Sequence, residues 1–212
     1  MDSATAASAG PFPGPRQQAV RLEQFSIAWM LIEASVAVTA GMIAGSLALT
    51  SFGFGSVIEL FSAILVLRRL QAVLTGGRAD EHAERRVLRI IAVTFFVLAA
   101  YVVIGSVVDL ATQARPERSP AGIGLTVSSL LVMPLLGWRK RRVGGLPGNQ
   151  LVLADAAETV LCATLAATTL LGLVLFAALG WWWADPVAAL AVAYFAVREG
   201  REAWNGELIC DD

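Results

Sequence analysis

Residues 90–108 read IIAVTFFVLAAYVVIGSVV, nineteen residues without one charged side chain. Wound as an α-helix such a run is about 28 Å long, close to the roughly 30 Å hydrocarbon thickness of a bilayer. Hydrocarbon admits only helices and closed barrels, because every backbone N–H and C=O must be satisfied within the protein. The run lacks the in-out alternation of a barrel strand, so a helix is what remains. Comparable apolar stretches recur along the chain, and hydrophobic residues make up 57% of the 212. The expected spans are 25–44, 48–67, 88–112, 121–138, 150–174 and 179–198. The fold class that follows is all-α: a polytopic membrane protein built as a six-transmembrane-helix bundle.

Charge gives the expected topology. An even number of spans puts both termini on one side, and Lys and Arg concentrate in cytoplasmic loops. With the N-terminus inside, fourteen of the sixteen basic residues are cytoplasmic, and only Arg115 and Arg118 lie outside. The expected location is therefore the cell's inner (plasma) membrane, with both termini in the cytoplasm. Residues 1–24 lack the basic start and apolar core of a signal peptide and read as a flexible tail, 25–205 as the transmembrane domain, and 206–212 as a short second tail. The segment 68–87, RRLQAVLTGGRADEHAERRV, reads as a charged aqueous loop, with His82 a solvated residue in it. Residues 181–183 are three consecutive tryptophans, the composition of an interfacial anchor. The sequence holds no Walker loop, dinucleotide fingerprint or Ser-His-Asp set within the spans, so an enzyme is not expected, and neither is a nucleic-acid partner. Cys162 and Cys210 suggest no disulfide framework.

Acids inside the spans carry the functional argument. A charge at mid-bilayer costs about 2.5–3.5 kcal/mol on insertion scales, so each needs a reason. Asp109 and Asp185 fall near the outer ends of spans three and six. Asp185 precedes Pro186, which suits the first turn of a helix, and both acids read as structural. Glu33 shares a face with Ala37, Ala40 and Gly41, which predicts close helix packing and a partner that is either an arginine or a buried hydroxyl. Asp155, Glu158 and Cys162 are spaced by three and four residues and fall on one helix face. Glu158 and Glu59 both fall near the middle of the bilayer, so spans two and five can present ligands at one depth. Carboxylates and a thiolate repel one another unless neutralised. Glu59, Asp155, Glu158 and Cys162 are thus the candidate metal ligands, a donor set that suits zinc or cadmium better than magnesium or calcium.

Three segments carry a family likeness. AGSLALTSFGFGSVIEL at 44–60, LADAAETVLC at 153–162 and WWADPVAAL at 182–190 resemble the motifs of the cation diffusion facilitator family in its second, fifth and sixth spans. The resemblance, over about 25–205, implies a six-span exporter of zinc or related divalent metals in exchange for protons. It implies a metal site at the positions held here by Gly55, Glu59, Glu158 and Cys162, where the family places His or Asp and then Asp on each of spans two and five. A departure from the family is expected after span six, where its frequent cytoplasmic domain is missing, so that a homodimer would form through membrane helices. The cation is cargo, and no resident cofactor is expected. Two other functions fit the residues: a non-transporting membrane partner or metal sensor that keeps the fold, and a proton-coupled exporter of organic cations using Glu59 or Glu33.

Overall fold

The computed structural model describes residues 15–74, 81–144 and 150–205. Among them the chain forms six helices and no strand: α1 Pro15–Ala44, α2 Leu47–Leu74, α3 Glu81–Thr112, α4 Pro120–Gly144, α5 Gln150–Leu179 and α6 Ala184–Asn205. Five are long and apolar enough to cross a membrane, which makes this a multi-pass membrane protein with the expected all-α fold. The helix that falls short is α6. Its 22 residues carry Asp185 at one end and Arg198, Glu199, Arg201 and Glu202 at the other, leaving Pro186–Val197 as its apolar centre.

The first five helices run beyond the expected spans, whereas α6 is shifted: it starts at Ala184, five residues later than the expected 179, because Gly180 ends α5 there, and it continues to Asn205. Much of the segment read as an aqueous loop over 68–87 is helical, since α2 continues to Leu74 and α3 starts at Glu81. Likewise α1 begins at Pro15, ten residues before the boundary expected for the N-terminal tail. Hydropathy marks where a helix touches lipid, and helical hydrogen bonding continues past that point into water.

The connections show why the chain turns where it does. After α1, Gly45 takes φ +63°, its N–H donates to Met42 O at 3.4 Å and the next N–H, of Ser46, donates to Gly41 O at 3.0 Å. This paired closure satisfies the last carbonyls of α1. Ser46 then starts α2, its hydroxyl accepting from Leu49 N–H at 3.1 Å. Gly180 closes α5 in the same left-handed conformation, with φ +69° and a bond to Phe176 O. Ser119 caps α4 by accepting from Gly122 N–H, and Pro120 occupies the first helical position, where its missing N–H costs nothing.

Packing pairs α1 with α2, α4 with α5 and α3 with α6, and α2 sits centrally against α1, α3, α5 and α6. The small-residue face on α1 works as its spacing predicts. Gly41 lies where a Cβ would meet Thr50 Oγ1 at 2.5 Å, and Gly53 of α2 lies as close to Val38. With no side chain at these positions the backbones approach and exchange dispersion contacts, the main source of attraction between helices in lipid. Trp181 and Trp183 stack with ring centroids 5.1 Å apart and remain exposed, as an interfacial anchor would.

Candidate functional site

Four of the buried acids, Glu23, Glu33, Glu59 and Asp185, separate into three environments. At one end of the bundle, Asp185 of α6 reaches across to the start of α2: the Ser46 hydroxyl donates to Oδ1, and the N–H groups of Leu47 and Ala48 donate to Oδ2 at 2.8 and 3.2 Å. The structural role expected of Asp185 holds, but the helix it caps is α2, while it sits in the first turn of its own helix α6. The first N–H groups of a helix have no partner within it, and a buried carboxylate there meets both the missing hydrogen bonds and the positive end of the dipole. Close by, the Ser106 hydroxyl of α3 donates to Pro186 O and ties α3 to the same corner. Asp109 is only partly buried.

At the other end, Glu23 of α1 and Lys140 of α4 form an ion pair 3.0 Å long with both side chains fully buried. Sequence reasoning placed Lys140 among aqueous cytoplasmic charges and gave Glu23 no role. Counting charges by loop cannot detect a pair formed across two helices 117 residues apart in sequence.

Between these ends lies the third environment. Glu33 of α1 is fully buried and accepts from two hydroxyls, Ser129 of α4 on Oε1 and Ser56 of α2 on Oε2, the latter at 3.3 Å. The hydroxyl alternative expected for Glu33 is the one realised. The Cys162 thiol of α5 lies 3.9 Å from Glu33 Oε2, with Glu59 of α2 close by. One thiol therefore faces two carboxylates, and four helices contribute to a single polar cluster in an apolar interior. Met30, Leu60, Ala63, Met133 and Ala163 pack around Cys162 and keep it dry.

Ser56 illustrates the character of this cluster. Its oxygen is also 3.1 Å from Phe52 O, and one hydroxyl proton serves only one acceptor at a time. The hydroxyl can release Glu33 and still be satisfied by its own helix. Thiol and hydroxyl donors are thus exchangeable partners of carboxylates that can equally bind a cation.

Of the four candidate ligands, the structure brings Glu59 and Cys162 together and adds Glu33, which the ligand set drawn from the sequence omitted. Asp155 and Glu158 belong to α5, two turns and one turn before Cys162 respectively, but their side chains lie outside the described residues. So do the side chain of His82 and the residues 206–212. Among the described residues no group of three His, Cys, Asp or Glu side chains is gathered to hold a metal ion. Cys162 is a free thiol. Gly55, one turn before Glu59 on α2, is buried, yet a Cβ built there would meet nothing within 4 Å. Ser56 and Ser129 were legible in principle: a mid-span acid needs donors, and serines inside apolar runs are the donors such helices offer.

No curated protein matches the chain. The family model of the cation efflux transmembrane domain matches residues 81–204, which are α3 to α6 and more than half of the chain. The match is narrower than the likeness read over 25–205, and the α1 and α2 acids Glu33 and Glu59 fall outside it. Proteins of this family are transporters rather than enzymes, and the function it brings in general terms is cation transport. On that match, the chain belongs to the cation efflux transmembrane domain family.

Proposed function

We propose that the protein exports a divalent transition-metal cation, zinc or cadmium, through a midplane site between α2 and α5 that Glu33 of α1 completes. The observation that carries this reading is the convergence of Glu33, Glu59 and Cys162 in a family of cation transporters. Thiolate sulfur with carboxylate oxygen is a donor set that zinc accepts, and the soft sulfur favours zinc or cadmium over magnesium or calcium. Glu158 and Asp155, on the turns of α5 before Cys162, supply the remaining oxygen ligands in this reading.

The sequence of events follows from the bonds. A cation entering the cluster displaces the thiol proton, which leaves to the water on the side of entry, and frees the Ser56 and Ser129 hydroxyls, that of Ser56 turning to Phe52 O. The cation then draws α1, α2 and α5 closer together than they are among the described side chains. On discharge the thiolate takes up a proton from the other side. This restores the hydroxyl and thiol contacts, so the carboxylates are never left bare in the low-dielectric interior. Rocking of helices around a fixed midplane site is the general scheme of secondary transport. Both termini are assigned to the cytoplasm and the chain to the plasma (inner) membrane, on the fourteen-to-two division of basic residues. A homodimer, in this reading, uses the membrane faces of the helices.

The test is zinc and cadmium flux into proteoliposomes holding a metal-sensitive dye, for the parent chain, Glu59→Gln and Cys162→Ala, each shown to be folded and inserted. Flux in the parent and its loss in Glu59→Gln is the expected result, with Cys162→Ala lowering cadmium flux more than zinc flux. Metal binding without flux in the parent would instead assign the chain to sensing or to a partner role.

A further inference from the structure

At the end of the molecule that carries the Glu23–Lys140 pair, α1 and α4 diverge around a groove of about 700 Å³. The α1 wall is Gln18, Arg21, Leu22 and Phe25, and α4 contributes Leu135, Trp138, Arg139 and Arg142 among others. On each helix these residues follow the three- and four-residue spacing of one face. The polar members sit toward the helix ends and the apolar ones toward the bilayer centre. The groove is therefore graded, with three arginines at its mouth and an exposed Phe25 and Leu135 deeper in.

Among the described residues no acid neutralises the arginines. No acid lines the groove, and among the described residues the ion pairs join other groups, Lys140 to Glu23 and Arg198 to Glu202. Lys140 points away from the groove into its buried pair, so it takes no part. Arg142 is held over the Trp138 ring with its guanidinium carbon 3.9 Å from the ring centroid, which fixes its direction while leaving its N–H donors free. Guanidinium groups bind phosphate oxygens in bidentate fashion, and basic pockets between helices at a membrane surface suit anionic headgroups.

We infer that this groove is a binding site for one anionic phospholipid, its phosphate held by Arg21, Arg139 and Arg142 and its acyl chain lying along Leu22, Phe25 and Leu135. The inference is independent of the cation reading, because no residue of the groove belongs to the Glu33 cluster. Occupancy would bridge α1 to α4, the two helices that supply Glu33 and Ser129, and so hold one side of the transport site together.

Native mass spectrometry of the full chain in detergent, with equal phosphatidylglycerol and phosphatidylcholine, tests the site. Retention of phosphatidylglycerol in preference to phosphatidylcholine is expected, weakened about fivefold by each of Arg21→Gln, Arg139→Gln and Arg142→Gln alone. The single variants make the test readable even if the triple variant fails to fold. A control of equal charge change, Arg115→Gln with Arg118→Gln and Arg201→Gln, keeps the preference, and so does excess inorganic phosphate. Equal retention of the two lipids, or an unchanged preference in all three single variants, overturns the inference. Full displacement by inorganic phosphate also overturns it, in favour of a free-anion site. A shift in oligomeric state with unchanged lipid preference would give the groove to a second copy of the chain.

Discussion

Asp185 and Glu33 are both carboxylates almost sealed from solvent, yet their partners differ in kind. Asp185 is held partly by backbone N–H groups at the start of a helix, which cannot turn away without unwinding that helix. Glu33 is held by hydroxyls and a thiol in mid-helix, which can rotate to other acceptors at little cost. The first arrangement makes a fixed joint and the second an exchangeable site. Burial of an acid inside a membrane therefore does not identify function, whereas the identity of its donors does.

The largest effect should follow from breaking the joint. Asp185→Ala leaves the Ser46 hydroxyl and the Leu47 and Ala48 amides buried without their acceptor, a loss of about 3 kcal/mol. Thermal unfolding in detergent should show a clearly lowered midpoint, and any transport defect should scale with the amount of folded protein. A variant that unfolds like the parent would show that the joint is not structural.

Glu33→Gln should invert that pattern. The amide oxygen still accepts a hydroxyl bond, so stability should change by only about 1 kcal/mol, while metal flux per folded molecule falls to background because the anion is gone. Flux at the parent rate would remove α1 from the transport site and return it to Glu59 and the α5 residues alone. Intermediate behaviour in both assays, moving together, would place Glu33 in the same class as Asp185.

The sequence carried more of this contrast than of the geometry behind it. The number of helices, the structural role of Asp185 before Pro186 and the hydroxyl option for Glu33 follow from local spacing and the cost of charge in hydrocarbon. The capping of α2 by a residue of α6, the meeting of Glu33 with Ser129, and the Glu23–Lys140 pair join positions more than 90 residues apart. Helical periodicity says which residues share a face but not which helix that face will meet. The extents of α1, α2 and α3 were underestimated for another reason: their ends are polar and helical at once, and a hydropathy reading sees only the first property.

Two glycines only two residues apart, and so on nearly opposite sides of α2, offer the finest test of where the interior is tight and where it is open. Gly53 faces α1, and a Cβ there would lie 2.7 Å from both Val38 N and Val38 Cγ2. Because a backbone atom is involved, Gly53→Ala must push α1 aside, at a cost of about 1–3 kcal/mol. Among the described residues nothing lies within 4 Å of a Cβ at Gly55, so Gly55→Ala meets no clash with them and gains the better helix propensity of alanine, worth up to about 1 kcal/mol. The two variants should shift the unfolding midpoint in opposite directions, Gly55→Ala by the smaller amount. Space beside Glu59 on a buried face is also what a cation and its bound water would need. Gly55→Ala should therefore leave the fold intact while slowing metal flux, a small change on the exchangeable side that the fixed joint at Asp185 would not feel.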